Sequence, residues 1–266
     1  MTTRPPAVAG LFYPDDPTEL ATTVDRLLAA APRVATSPKA LVVPHAGYMY
    51  SGPIAATAYA TLLPARHDIT RVVLLGPAHH VAVDGVALPR ADGFRTPLGV
   101  VPVDALARAT LTDVPGVVID DRPHAPEHSL EVQLPFLQRV LPSFTLVPIV
   151  VGRCPTTTVG RVIGAVWGGP ETVVLVSSDL SHYEDHQSAA RHDASTAAAI
   201  VACASDAIGP ADACGAYPLR GLLEVARAQD VVPELLDLRS SGDTSGPRDR
   251  VVGYGAFALS TASEVS

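Results

Sequence analysis

The chain has 266 residues, 47% of them hydrophobic, which is enough apolar material for one large α/β domain or two small ones. Its formal charge of −8, from 19 basic and 27 acidic residues with no Lys/Arg cluster, argues against nucleic acid as a partner. No apolar run reaches about 18 residues, the opening MTTRPPAVAG lacks the apolar core of a signal peptide, and three widely spaced cysteines read as reduced thiols. A cytoplasmic protein with no membrane span is expected.

DDPTELATTVDRLLAAA (15–31) reads as a helix, with Asp16 as cap, Pro17 in the first helical position and Glu19 at capping-box spacing. KALVVPHAGY follows as a short buried strand ending at Pro44-His45, then GPIAATAYATLL as a closely packing, small-residue helix. RVVLLGPAHH is a second strand running into a loop. GFRTPLGVVPVD is extended or hairpin structure, and Asp104 caps a short helix. In EHSLEVQLPFLQRVL the leucines at 130, 134, 137 and 141 have a helical period, and Pro135 either kinks that helix or marks its start. TLVPIVVG and TVVLVSSDLSH are third and fourth buried strands, separated by the helix TTTVGRVIGAVW. HDASTAAAIVACAS and GAYPLRGLLEVARAQD are helices, and VVPELLDLRSS and RVVGYGAFAL are late strands of open direction. Continuous apolar strands alternating with helices predict a sheet covered on both faces. With no linker or repeat, we expect a single three-layer αβα domain over residues 1–266, its central sheet mostly parallel.

Three of these strands end alike. LVVP runs into His45, VVLLGP into His79-His80, and VVLVSS into Asp179 with His182 three residues later. Ligands of open α/β sheets bind at the carboxyl ends of the strands, so this convergence marks a candidate site. Each residue also has an ordinary use. His45 can satisfy a turn carbonyl, Asp179 can cap a helix, and of His79 and His80 one serves the site while the other packs beside it. His128 lies in PEHSLE beside Glu127, where Glu127 or Ser129 also suits a helix cap. His67, His124, His186 and His192 fall in polar stretches and read as solvated surface. Cys203 reads as a buried small hydrophobe and Cys154 as a loop residue. Cys214 precedes a helix, whose N-terminus favours a thiolate, although an ordinary buried thiol is the simpler reading.

AGLFYPDDPTEL, VVPHAGYMYSG, LLGPAHH, GFRTPLG, EHSLEVQLPFL, VPIVVG, VSSDLSHY, CGAYPLRGLLE and SSGDTSGPRDRVVGYGAFAL occur in this order. Together they closely resemble the Memo-like family, called AmmeMemoRadiSam system protein B in bacteria and archaea, from about residue 5 to residue 260. The resemblance implies a fold similar to class III extradiol dioxygenases, which use non-haem Fe(II). It also implies a vestibule holding His45, His79, Asp179, His182 and Cys214, with His45, His79 and Cys214 as metal ligands. On this likeness His79 faces the site and His80 supports it. The extradiol enzymes have a carboxylate where this family has cysteine.

Two imidazoles and a thiolate suit Fe(II), copper or zinc alike, and the likeness to the extradiol fold implies Fe(II) first, then copper, then zinc. His182 is expected to act as acid/base held in one tautomer by Asp179, and His128 with Glu127 or Glu131 to orient a ligand. Tyr48 is expected to line the pocket, and Arg248 or Arg250 of GDTSGPRDR to reach the substrate. Three functions stay open: a dioxygenase-like oxidoreductase, a metal-dependent hydrolase, or a non-catalytic protein binding a peptide or small molecule. The family name adds AMMECR1-like and radical SAM proteins as expected partners.

Overall fold

A computed structural model describes residues 2–32 and 37–261; residues 1, 33–36 and 262–266 of the expected 1–266 unit lie outside them. The elements are β1 (Thr3–Arg4), α1 (Pro17–Ala30), β2 (Ala40–Val43), α2 (Tyr48–Ala60), β3 (Arg71–Pro77), β4 (Val86–Leu88), β5 (Gly93–Thr96), β6 (Gly99–Pro102), α3 (Ala105–Thr112), β7 (Val117–Ile119), α4 (Leu134–Val140), β8 (Thr145–Val151), α5 (Thr156–Ala165), β9 (Thr172–Ser177), β10 (His182–Glu184), α6 (His186–Val201), α7 (Ala216–Ala228), β11 (Val231–Ser240) and β12 (Val251–Thr261).

A nine-stranded sheet runs β10-β12-β2-β9-β3-β8-β4-β7, with β11 also paired to β12. Its centre, β2-β9-β3-β8, is parallel, and β12, β11, β10 and the β4/β8 pair make it mixed. The parallel strands are buried on both faces, which is why their sequences are apolar without alternation. Alternate side chains of each strand nonetheless go to opposite sides. Leu41, Val43, Val72, Leu74, Val173 and Leu175 pack with α1, α2 and α4. Val42, Val73, Leu75, Val174 and Val176 pack with α5, α6 and α7. The fold is therefore α/β, a mixed central sheet flanked by helices. Cutting a wholly buried residue such as Leu74 to Ala removes contacts worth roughly 2–5 kcal/mol.

Local chemistry sets the ends of the elements. Asp16 accepts from the amides of Thr18 and Glu19, and Asp104 from that of Ala107, as the sequence suggests. Pro135 lies in the first turn of α4, where its missing N–H has no partner to lose; a short 3₁₀ turn, Glu131–Gln133, precedes it. Two helices start earlier than their apolar pattern implies. α2 begins at Tyr48 and carries Pro53 inside it. α6 begins at His186, because Asp185 accepts from the amides of Gln187 and Ser188. A separate three-stranded sheet, β1-β5-β6, holds the first residues of the chain. Arg4 is buried there and pairs with the fully buried Glu131, which also accepts from the amides of Ala7 and Val8 and from the Tyr13 hydroxyl.

Candidate metal centre

β2, β3 and β9 are parallel and in register, Val43 opposite Ser177 and Leu75 opposite Val176. Their carboxyl ends therefore open onto one edge, and each places a polar residue two positions beyond the strand: His45, His79 and Asp179. A fourth segment is tied across this edge. The Ser129 hydroxyl donates to the carbonyl of Pro77 (3.0 Å), and the Ser177 hydroxyl donates to the carbonyl of Ser129 (2.6 Å). That tie lays residues 127–130 over the ends of β3 and β9 and brings in His128.

One ring nitrogen each of His45, His79 and His128 lies within 4.8 Å of the others. The rings of His79 and His128 are stacked at 4.6 Å, with His45 edge-on to both. The cluster is thus three imidazoles, not the expected two imidazoles and a thiolate. His128, expected to orient a ligand, is the third member because Ser129 anchors its segment to the strand ends.

Hydrogen-bond arithmetic fixes which nitrogen is free. Ser177 Oγ spends its only proton on Ser129 and accepts from Gln133 Nε2 (2.8 Å). Toward His45 Nδ1, 2.8 Å away, it can only accept, so Nδ1 carries the proton and Nε2 keeps its lone pair. The Gln133 amide is held the same way round by the Pro44 carbonyl and the Tyr59 hydroxyl. His79 Nδ1 donates to Glu127 Oε1 (2.8 Å), which again frees Nε2. Glu127 also accepts from the amides of His79, His128 and Ser129. Burial alone would raise its pKa, but the bonds from His79 and its neighbours hold it well below the usual carboxylate range.

Burial pushes the His45 pKa down to about 3. Burial, then the adjacent His45, pushes His128 down to about 4. Both rings are neutral near pH 7. Three clustered imidazoles, those of His45 and His79 held through Nδ1, are a donor set that fits a transition-metal ion.

Cys214 lies outside the trio but against it: its sulfur is 3.4 Å from His45 Nε2 and receives the Asp179 amide at 3.3 Å. Its thiol is pushed up to about 12, by burial and then by the Asp179 carboxylate, which suits the ordinary buried thiol rather than the thiolate that the resemblance implies. The neighbouring helix N-terminus does not overcome those two effects.

Asp179 is buried and bonds the His45 amide at 2.7 Å, and burial raises its pKa. It does not hold His182, whose Nδ1 donates instead to the Leu180 carbonyl at 2.8 Å. The chain turns there from β9 into β10, and Tyr183 takes a left-handed φ of 65°. His182 is left with Nε2 as an acceptor, facing a cavity of 380 Å³ that His128 and Asp179 also line.

His80 is exposed, 5.7 Å from the His128 ring and 6.5 Å from that of His79. Tyr48 does not line this cavity. It is buried, with its hydroxyl on the Val132 carbonyl, and Tyr50 takes the lining position. Glu131 serves Arg4 rather than the imidazoles. His124, read as surface, is buried, with Nε2 at the Ala87 carbonyl. His192 bridges Glu184 and Asp212 at 2.8 Å each, and His186 bonds Asp243. Arg248 is committed to the Gly242 carbonyl, whereas Arg250 lines the cavity. Among the described residues, no helix is long and apolar enough to cross a membrane.

A model of the Memo-like protein family matches residues 4–258. A MEMO1 family protein of Aquifex aeolicus is 35% identical, covering 96% of this chain and 98% of its own. One of Methanopyrus kandleri is 37% identical with the same coverage. The crystal structure of an uncharacterized Escherichia coli K12 protein overlaps at a TM-score of 0.49 and 13% identity, covering 82% of this chain and 98% of that one.

Proposed function

The chain belongs to the Memo-like protein family, and on that premise we propose that it is a single-domain, metal-dependent oxidoreductase of dioxygenase type. His45, His79 and His128 would hold the metal, Fe(II) first, with copper or zinc as alternatives. The observation that carries this reading is the convergence of three ring nitrogens within 4.8 Å, two of them oriented through Nδ1. When bound, the metal supplies Lewis acidity and, if it is iron or copper, redox chemistry toward O2.

The chain's own groups divide the remaining work. Glu127 and Ser177 keep the imidazoles in one tautomer and one orientation. His182, with Nδ1 on Leu180, can take a proton at Nε2 from a molecule in the cavity. Asp179 places the His45 backbone and supplies a carboxyl to the cavity wall. Cys214, with its sulfur 3.4 Å from His45 Nε2, is a reserve donor beside it.

A second reading has a specific observation behind it. Three imidazoles and open positions also describe a hydrolytic zinc centre. Anaerobic purification, metal analysis and O2-uptake assays decide between them: bound iron with O2 consumption supports the oxidoreductase. Turnover with zinc and no O2 demand overturns it in favour of the hydrolase. A protein that retains no transition metal overturns both and leaves a binding role, for which AMMECR1-like and radical SAM proteins are the partners to test by co-purification.

A further inference from the structure

Eight of the nine histidines have a ring nitrogen in a hydrogen bond or an ion pair. His80 alone, among the described residues, has neither. It is exposed, yet it stands at the imidazole cluster. Its ring is 5.7 Å from that of His128 and 6.5 Å from that of His79, at 68° to each. An unpaired imidazole is ordinary on a surface, but one set beside three others is not.

The cluster is wetter on one side than on the other. His45 is buried, the side chains of His128 and His79 are 15% and 27% exposed, and His80 is outermost. An ion travelling from solvent to His45 therefore crosses the side formed by His79 and His128, where His80 stands. The four rings also differ in how they are held. Ser177 and Glu127 fasten His45 and His79 through Nδ1, and Ser129 ties down the segment of His128. A ring fixed in advance loses little freedom on binding a ligand, so it binds firmly. His80 has no such tie and turns freely. A neutral imidazole so placed offers a lone pair to water in every orientation. The trio of close ring nitrogens does not include it. These properties make His80 a poor permanent ligand and an accessible first one.

We propose that His80 is the capture ligand of this centre: it takes a divalent transition-metal ion from solution, passes it to His79 and His128, and does not stay in the final ligand set. This role rests on the reading of His45, His79 and His128 as a metal centre, but not on the metal's identity. An ion caught on His80 already lies beside the cluster, so its transfer replaces a second encounter from bulk solution. The net charge of −8 favours the approach of a cation. Release retraces the same path. His80 therefore sets the rates of loading and unloading, and the three anchored rings set the affinity.

The test is the kinetics of zinc exchange. Zn(II) is mixed with metal-free protein, and zinc still free after set intervals is trapped by excess chromogenic chelator. Release is followed by diluting loaded protein into the same chelator. His80→Phe keeps a ring beside His128 but has no nitrogen, and His80 is exposed, so the variant does not threaten the fold. Loading and release are both expected to slow about tenfold in His80→Phe, leaving Kd the same to within about twofold. His80→Asp, which supplies an oxygen donor, should recover most of the loading rate. Unchanged rates in His80→Phe, or His80→Asp loading no faster than His80→Phe, overturns the inference. So does a weaker Kd with unchanged loading, which would make His80 a permanent ligand. A wild-type chain that takes up no zinc overturns the metal centre and this inference together. Stoichiometric zinc with rates indifferent to residue 80 overturns this inference alone.

Discussion

Glu127 grips His79 at two points: one carboxylate oxygen takes the backbone amide at 2.7 Å, the other takes ring Nδ1 at 2.8 Å. The backbone and the ring of one residue are thereby fixed by a single side chain from a different segment. Replacing Glu127 by Gln keeps the size but turns one acceptor into a donor. Metal affinity is expected to fall about 10–100-fold, read by competition with a chromogenic chelator. Unchanged affinity would mean that His79 needs no such anchor.

His128 and Cys214 make opposite predictions. The three-imidazole cluster leads us to expect that His128→Ala loses bound metal, while Cys214→Ser retains it at wild-type stoichiometry. Elemental analysis of the two variants purified side by side checks this. The reverse pattern would restore the thiolate as a ligand and demote His128.

Stability of the metal-free protein should fall on mild acidification. An unfolded imidazole has a pKa near 6.5, whereas burial holds His45 near 3 and His124 and His128 near 4. From pH 6.5 down to about 4, the unfolded chain therefore binds protons that the folded chain does not. Each such ring costs roughly 1.4 kcal/mol per pH unit across that window. His192, raised by Asp212 and Glu184, and Asp179 and Asp193, both raised by burial, act in the opposite direction, so the fall is smaller than the three buried rings alone would give. Urea midpoints of metal-free protein should be clearly lower at pH 5 than at pH 7.5, and equal midpoints would contradict the burial of these rings.

Gly76 tests how closely β3 must approach residues 127–130. A Cβ there would lie 2.6 Å from the Ser129 hydroxyl and 2.9 Å from Leu130. Gly76→Ala is expected to cost about 1–3 kcal/mol and to weaken metal binding, because it pushes His128 away from His79. In Gly164→Ala the new methyl meets nothing within 4 Å in the helix α5, so that variant should be neutral or more stable by up to about 1 kcal/mol. Thermal unfolding of the pair separates crowding at the site from the general effect of losing a glycine.

The α/β class was legible because β2, β3, β8 and β9 are long apolar runs between helical patterns, and such runs need cover on both faces. The ends of β2, β3 and β9 were legible for the same reason: polarity changes abruptly at His45, His79 and Asp179. His128 was harder to place. Its position depends on Ser129 reaching Pro77 and Ser177, contacts 52 and 48 residues away that no local period encodes. The Glu127-His128 pair beside Ser129 was the only local hint. Tyr48 was misplaced because α2 starts at that residue; one helical step is about 100°, so two steps carry Tyr50 to the far side. His124 looked solvated because its neighbours are polar, but Arg4 arrives from 120 residues away to take its carbonyl and cover it. The helix beside Cys214 was visible in the sequence, but the carboxylate that opposes a thiolate, Asp179, comes from the loop after β9, 35 residues away.

The Arg4–Glu131 pair gives the front of the chain an importance out of proportion to its length. Glu131 is wholly enclosed, and three of its four donors, Arg4 and the amides of Ala7 and Val8, come from the first eight residues. A protease that trimmed those residues would leave an anion in the interior, three positions from His128, with no cation and only the Tyr13 hydroxyl as donor, a loss on the order of 3–5 kcal/mol. Preparations nicked at the front should therefore lose their metal together with their cooperative melting, and intact-mass analysis is the quality check to run before any assay.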